Sequence, residues 1–365
     1  MSFDAHAFDG VTEQLEAKAL LNAALVDGPA HAYLLHGPPG VGKRDLALLF
    51  AAELLGDHAR VVRKSHPDLY ILEPLGDQIR IDDIRELRRD LHMRPFEASR
   101  RVYLIFGADT MNEDAADALL KDLEEPPPYA VILLIANDIG PLPDTIRSRC
   151  QPVPFRRLSE RAVREAIRAW APELGDEEVT TLSRVAGGRL DRAARLIDPA
   201  AAKRREALLE VARAVYLDAE FDPAVGAEAL LAGIAERGGE AKDKAEDSIA
   251  LLEVTGREAE QRVRRAQRGA ERDELLAVLE ELEWWYRDLV VVAAGAEATA
   301  VHVDRLAELR QDATRERLLA AEEACAIVRD AWRQAEELQV STGLALEALL
   351  VRLRRELAGP ALARA

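Results

Sequence analysis

The stretch that decides the fold is Gly37-Pro38-Pro39-Gly40-Val41-Gly42-Lys43, which fits the G-x-x-x-x-G-K pattern of a phosphate-binding loop. It follows the apolar run Ala32–Leu35 and precedes the helical stretch Lys43–Leu55. Glycines let backbone N–H groups turn toward phosphate oxygens, and the helix N-terminus adds a positive partial charge. The sequence therefore predicts a strand–loop–helix unit that binds nucleotide, with Lys43 reaching the β- and γ-phosphates.

Around this loop, residues 1 to about 155 alternate short β-rich runs with helical stretches. Such alternation is typical of an α/β unit with a parallel sheet. The predicted strands are Tyr33–His36, Leu69–Leu72, Val102–Phe106, Val131–Ala136 and Pro152–Phe155. The predicted helices between them include Lys43–Leu55, Asp82–His92 and Asn112–Glu124.

The remainder of the chain shows helical periodicity and no convincing strand beyond Ser159. Short helices are predicted over Arg161–Trp170, Glu177–Ala186 and Leu190–Ile197. Further on, leucines recur at spacings of three and four, which places apolar stripes on helices that must pack on neighbours. The two stripes comprise Leu275, Leu279, Leu282, Tyr286 and Leu289, and then Leu344, Leu346, Leu349, Leu350 and Leu353.

The segment from Thr255 to Glu274 is charged on nearly every face of its predicted helix. Its arginines, Arg262, Arg264, Arg265 and Arg268, are compatible with a phosphate-contacting patch. Acidic residues are interleaved throughout the segment, and this pattern favours a solvated helix or a projecting arm.

Composition excludes several classes of protein. The chain has 49 basic and 66 acidic residues, a net charge of −17, which disfavours a stand-alone nucleic-acid binder because phosphate backbones repel it. The only cysteines are Cys150 and Cys325, too few for a disulfide framework, and this usage suits the cytoplasm. The opening residues lack a signal-peptide pattern, and no apolar run is long enough to span a membrane.

Two positions depart from the pattern of a working P-loop ATPase. The residue after the loop lysine is normally Ser or Thr, which binds magnesium, and here it is Arg44. A later strand normally ends in an acidic pair that holds the metal and activates water, and here it ends in Phe106-Gly107. Asp109 follows two residues later, but it is expected to face a different direction. The sequence therefore predicts nucleotide binding without efficient hydrolysis.

Four segments in this order resemble the bacterial clamp-loader subunits of the AAA+ class. They are the phosphate loop, His66–Leu69, the run Leu119–Pro127 (LLKDLEEPP) and the run Thr145–Cys150 (TIRSRC). Two later segments, Trp285–Leu289 and Leu344–Leu350, resemble the collar helices of the delta-prime subunits of DNA polymerase III.

The resemblance implies a fold and a domain organisation. Residues 1–157 are expected to form an α/β P-loop AAA+ domain with helices flanking a parallel sheet, and residues 158–199 a small helical lid. Residues 200–365 are expected to form an all-α collar that mediates oligomerisation, with a charged helical arm near 242–280.

It also implies roles for individual residues. The second arginine of the TIRSRC run, Arg149, would act as an arginine finger on ATP held by a neighbouring subunit, with Arg147 as the alternative. Asn137, or Ala136 if the alignment shifts by one, would sense the γ-phosphate. The segment Gly187–Arg192 lies where a lid sensor arginine is expected. The expected nucleotide-binding residues are Gly37, Gly40, Val41, Gly42, Lys43, Arg44 and Asn137.

No zinc is expected, because the four-cysteine module common in these subunits is absent between the loop helix and His66. Neither His58 nor His66 can supply a site that needs about four ligands.

The function implied is that of a delta-prime-like stator within the DNA polymerase III holoenzyme, without autonomous ATPase activity. Its expected partners are gamma/tau-type motor subunits and the delta subunit, with the sliding clamp and primed DNA contacted through the assembled complex. Two alternatives remain open. The first is a working gamma/tau-like ATPase, which the intact Gly42-Lys43 pair supports. The second is an interaction protein with a relic P-loop that binds no nucleotide.

Overall fold

The computed structural model describes residues 7–74, 78–251, 256–337 and 341–358. The chain divides into two compact units. Unit 1 comprises Met1–Leu174 and Ala186–Ala194, and unit 2 comprises Gly175–Val185 and Arg195–Ala365. The predicted division into P-loop, lid and collar domains stays a prediction.

Unit 1 is built on a five-stranded parallel sheet with the strand order β2-β3-β4-β1-β5. Every residue of β3 and β4 is buried, as expected for central strands that are covered on both faces. The strands are β1 (Ala32–His36), β2 (Leu69–Leu72), β3 (Arg101–Phe106), β4 (Ala130–Ala136) and β5 (Gln151–Pro154).

Helices flank this sheet and produce two apolar layers, because successive strand residues point to opposite faces. Tyr33 and Leu35 contribute to one layer, whereas Ala32 and Leu34 contribute to the other. The helices are α1 (Leu15–Asp27), α2 (Lys43–Leu55), α3 (His58–Val62), α4 (Ile81–Leu91), α5 (Glu113–Glu124), α6 (Asp144–Arg147) and α7 (Glu160–Trp170).

The α/β architecture predicted from the sequence is confirmed. The bounds of the five predicted strands and of the predicted helices differ from the observed ones by no more than one residue. Local signals explain this accuracy. The Asn112 side chain accepts a hydrogen bond from the N–H of Ala115 at the start of α5, and Ser159 caps α7 in the same way.

The described part of unit 2 is helical. Its long helices pack around a core that includes Trp285 and Tyr286, both fully buried. The helices of the second half of the chain are α8 (Asp176–Val185), α9 (Leu190–Ile197), α10 (Pro199–Leu217), α11 (Pro223–Leu251), α12 (Arg257–Ala293), α13 (Leu306–Asp312), α14 (Leu318–Glu337) and α15 (Thr342–Leu357).

The two predicted leucine stripes lie on α12 and α15 and face the core of unit 2 itself. Leu282 and Leu353 are fully buried, whereas Leu344 at the start of the second stripe is 65% exposed. Apart from Leu344, the residues of both stripes are therefore covered by the packing of their own unit. Their apolar character gives no support to an intersubunit contact, and the predicted role of this region in oligomerisation stays a prediction.

The predicted charged arm corresponds to the distal parts of α11 and α12. Residues 252–255 and the side chains of residues 257 and 258 lie outside what the structure describes. Arg264, Arg265 and Arg268 are exposed on α12. Across the described residues, no helix is both long enough and apolar enough to cross a membrane.

Candidate functional site

The phosphate loop connects the end of β1 to the start of α2. Gly37, Gly40 and Gly42 have φ values of 134°, 65° and 92°, a region that residues with a Cβ atom adopt at a cost. A Cβ atom on Gly37 would also lie 2.3 Å from the carbonyl oxygen of Phe155. The loop thus requires its glycines, and Lys43 is the first residue of α2.

The side chain of Lys43 is buried beneath the loop and is 5% exposed. Its ammonium group donates hydrogen bonds to the carbonyl oxygens of Gly37 at 2.6 Å and Pro38 at 2.5 Å. Burial lowers the pKa of Lys43 to about 8, whereas the nearby carboxylates of Asp109 and Asp191 act in the opposite direction. At neutral pH most of the lysine is still protonated, so the loop encloses a positive charge.

Asp109 lies closer to this site than the sequence suggested. Its Oδ2 atom accepts hydrogen bonds from the backbone N–H groups of Asn137 at 3.0 Å and Asp138 at 3.1 Å. Its Oδ1 atom is buried and has no hydrogen-bond partner in the structure. Asp109 also raises the pKa of Lys43. The Asp109 carboxylate therefore binds the backbone that follows β4, close to Lys43 of the phosphate loop.

Strand register explains why Asn137 lies near the loop. Ala136, the last residue of β4, pairs with His36, the last residue of β1. The chain leaves both strands at the same edge of the sheet, so Asn137 and the phosphate loop begin side by side. Ala136 is buried, and Asn137 is exposed. The expected role of Asn137 in sensing phosphate stays a prediction.

The two positions that depart from a working ATPase contact one another. The guanidinium carbon of Arg44 lies 4.0 Å from the centre of the Phe106 ring, which is the geometry of a cation–π interaction. Arg44 also forms an ion pair with Glu73. Neither Arg44 nor Phe106 offers the oxygen ligand that Mg²⁺ prefers. Magnesium-dependent hydrolysis therefore lacks its usual ligands at these two positions.

A carboxylate from the predicted lid segment reaches the phosphate loop. The backbone N–H of Leu190 donates a 2.8 Å hydrogen bond to the carbonyl oxygen of Gly40. A Cβ atom on Gly40 would lie 1.7 Å from Oδ1 of Asp191, so the carboxylate is in direct contact with the loop. Arg189 pairs with the same carboxylate through both Nε, at 3.1 Å, and Nη2, at 2.7 Å.

Sequence reasoning missed Asp191. The sequence pattern of the segment Gly187–Arg192 predicts a sensor arginine there, and no local signal marks the acid between its arginines as a contact of the loop. The glycine conformations and Lys43 fit a nucleotide phosphate. The carboxylate of Asp191 and the loss of a hydroxyl at position 44 do not, and ATP binding stays a prediction.

Arg149 lies at the other edge of the sheet from the phosphate loop. It precedes β5, which pairs in parallel with β1 from Tyr33↔Gln151 to His36↔Pro154. The paired strands alone separate the two edges by about 10 Å at 3.3 Å per residue.

The Arg149 side chain is partly exposed and is held by two segments of the predicted motif. It forms an ion pair with Glu124 at the end of α5 and donates a 2.8 Å hydrogen bond to the carbonyl oxygen of Thr145. The runs LLKDLEEPP and TIRSRC therefore meet through this arginine. Arg147, the alternative finger, pairs with Asp144.

The His66–Leu69 segment has a structural role in unit 1. Asp68 is fully buried and accepts hydrogen bonds from the N–H groups of Phe96, Glu97 and Ala98. His66 is also buried, and its Nδ1 atom accepts a hydrogen bond from the N–H of Asp68 at 3.1 Å. No group of three or more metal-ligating side chains is found among the described residues.

The parallel sheet with a glycine-dependent phosphate loop after β1 defines a P-loop α/β domain, and a largely helical region follows it. Within that class, residues 13–159 match the family described as "DNA polymerase III, delta subunit". These residues contain the phosphate loop and Arg149.

Individual relatives agree with this match. The chain is 35% identical over 162 residues to DNA polymerase III subunit delta' of Bacillus subtilis (strain 168), a match that covers 41% of this chain and 49% of that protein. It is 34% identical over 200 residues to subunit delta' of Pseudomonas aeruginosa, covering 50% and 60%. It is 29% identical over 209 residues to subunit tau of Bacillus subtilis, covering 53% and 37%.

The resemblance to the delta-prime subunits of DNA polymerase III and their clamp-loader AAA+ relatives is thereby confirmed. The matches span about half the length of the two delta' relatives.

Proposed function

We propose that the chain is a delta-prime-like stator of the DNA polymerase III clamp loader, a subunit that supports loading of the sliding clamp without hydrolysing ATP itself. The observation that carries the proposal is the cation–π contact between Arg44 and Phe106. It fills both positions at which P-loop ATPases hold and use magnesium. A chain with these substitutions retains the fold of a motor and lacks its metal chemistry.

The position of Arg149 supports a role in a neighbouring active site. Arg149 lies at the amino edge of the sheet, whereas the chain's own phosphate loop lies at the carboxyl edge. A guanidinium at that place lies at the opposite edge of the sheet from phosphate bound to its own subunit. It offers planar, permanently charged donors to a γ-phosphate presented by an adjacent subunit.

The proposed partners follow from the family and from charge. They are motor subunits of the gamma/tau type and the delta subunit, with the sliding clamp and primed DNA reached through the assembled complex. A net charge of −17 is compatible with this role, because a stator does not need to supply the basic surface that faces DNA.

The test is single-turnover ATP hydrolysis by reconstituted complexes that contain wild-type chain or Arg149→Ala. Loss of a catalytic arginine finger lowers the hydrolysis rate about 10³- to 10⁵-fold at the affected site. The total rate of the complex will fall less, because the other motor sites continue to hydrolyse ATP. Arg147→Ala is tested beside Arg149→Ala, since Arg147 is the alternative finger in the same run and the two variants separate the two candidates. Equal hydrolysis and clamp-loading rates for Arg149→Ala and wild type, with assembly intact, would remove Arg149 from the mechanism.

The two alternative functions predict different behaviour of the isolated chain. A gamma/tau-like ATPase would turn over ATP without its partners. An interaction protein with a relic P-loop would bind no nucleotide, and the contact between Asp191 and Gly40 favours that description of the chain's own pocket.

A further inference from the structure

The phosphate loop of unit 1 is in contact with an anion supplied by the chain itself. Oδ1 of Asp191 would lie 1.7 Å from a Cβ atom on Gly40, and Gly40 is the central glycine of the loop. The adjacent backbone is fixed as well, because the Leu190 N–H donates to the carbonyl oxygen of Gly40 at 2.8 Å. Asp191 therefore approaches the loop as part of a built contact between two segments.

The phosphate loop has a positive electrostatic character that attracts anions. The loop ends in Lys43, whose side chain is buried, and it leads directly into the N-terminus of α2. Both features attract negative charge. The carboxylates of Asp109 and Asp191 raise the pKa of Lys43, and the guanidinium of Arg189 acts in the opposite direction. With these two carboxylates in place, an incoming phosphate meets like charges beside a lysine whose field is already partly neutralised.

Arg189 secures the carboxylate from its other side. Its guanidinium contacts both oxygens of Asp191, at 3.1 Å and 2.7 Å, and the arginine side chain is 9% exposed. A two-point pair between Arg and carboxylate fixes orientation as well as distance. The same guanidinium would be a suitable phosphate ligand if the carboxylate were removed.

We propose that Asp191 is an internal anion that excludes nucleotide phosphate from the loop formed by Gly37–Lys43. The wild-type pocket then takes nucleotide weakly or not at all, and the Asp191 carboxylate is the main barrier, since the glycine-dependent loop and Lys43 are intact. The sequence predicts ATP binding without hydrolysis, and under this proposal the binding itself is weak or absent. The proposal concerns the chain's own pocket and does not depend on the stator function.

The test is titration of the full-length chain with a fluorescent ADP analogue, with and without magnesium. Asp191→Asn keeps the shape and removes the charge, and Asp191→Ala also removes the contact with Gly40. We expect at least tenfold tighter binding by both variants than by wild type. In Asp191→Ala, the further change Lys43→Ala should abolish the gain, because the new affinity should depend on the loop lysine.

Asp27→Asn is the matched control. Asp27 is an exposed acid at the end of α1, before β1 and thus toward the amino edge of the sheet, and its removal changes the net charge equally. It should leave the affinity unchanged. Tight binding by wild type would overturn the proposal, and so would a folded Asp191→Asn variant that binds no better than wild type. Neither result would bear on Arg149, whose role is measured in the assembled complex.

Discussion

The guanidinium carbon of Arg44 lies 4.0 Å from the centre of the Phe106 ring. Arg44 follows the loop lysine, and Phe106 ends the strand next to β4. In a working P-loop ATPase these two places converge on magnesium. Here they converge on each other, because an arginine at one and an aromatic ring at the other are mutually attractive.

This contact predicts that the isolated chain does not hydrolyse ATP. Phosphate release at saturating ATP should stay at background for wild type and for Arg44→Thr, since a restored hydroxyl still lacks the acidic metal ligand. Lys43→Ala defines the background in the same assay. Turnover near one per second, at the low end of ordinary enzyme rates, would identify the chain as a motor.

The ion pair between Arg149 and Glu124 predicts that its loss changes the stability of the chain little, whereas loss of the arginine changes hydrolysis in the complex. Both side chains are partly exposed, so Glu124→Ala should change the free energy of unfolding by less than about 1 kcal/mol. In reconstituted complexes, Arg149→Lys should restore only part of the hydrolysis lost in Arg149→Ala, because an ammonium group cannot reproduce the planar guanidinium. Full activity of Arg149→Lys would mean that charge alone suffices at this position.

A buried histidine in unit 2 predicts a pH-dependent stability. His302 is fully buried, with Nδ1 2.8 Å from Asp288 and Nε2 3.1 Å from Glu281. Burial by itself lowers the pKa of His302, but Glu281 and Asp288 outweigh it, and the pKa is raised above its usual 6.5. Its stabilising contribution should be complete below about pH 6.5 and lost as pH rises through the higher folded pKa.

Urea unfolding between pH 6 and pH 9 measures this contribution. His302→Gln should flatten the dependence, whatever its effect on absolute stability. A wild-type profile with the same slope as that of His302→Gln would show that the histidine does not titrate between the two carboxylates.

The packing of α15 predicts opposite outcomes for two leucines on the same helix. Leu353 is fully buried and Leu344 is 65% exposed. Leu353→Ala should cost about 2–5 kcal/mol through lost burial and cavity formation, whereas Leu344→Ala should change stability by less than about 0.5 kcal/mol. Denaturant unfolding measures both. If Leu344→Ala nevertheless fails to enter the clamp-loader complex, the exposed leucine is an assembly contact.

The absence of the family's cysteine cluster predicts folding without zinc. His66 is already bonded to the Asp68 N–H and faces Glu97, so its ring is committed to the fold of unit 1. Chelator treatment should leave the melting temperature unchanged, and metal analysis should find no bound zinc. Stoichiometric zinc, lost together with structure on chelation, would contradict this.

The sequence by itself determined the α/β domain and the phosphate loop. Short continuous apolar runs rich in β-branched residues, such as Val131–Ala136, are typical of strands buried on both faces, and the glycines of Gly37–Lys43 are dictated by local backbone conformation. These signals act within a few residues of one another. They can therefore be interpreted without knowledge of what lies nearby in space.

The tertiary structure alone decided which distant side chains meet. Strand register brought Asp109 to the end of β4, and packing put Asp191 against Gly40 and joined Arg44 to Phe106. None of these contacts can be predicted from sequence periodicity, because each depends on how segments that are distant in sequence pack together. Which charge and size of side chain suit such a contact depends on residues that are distant in sequence, and a local sequence pattern does not contain that information.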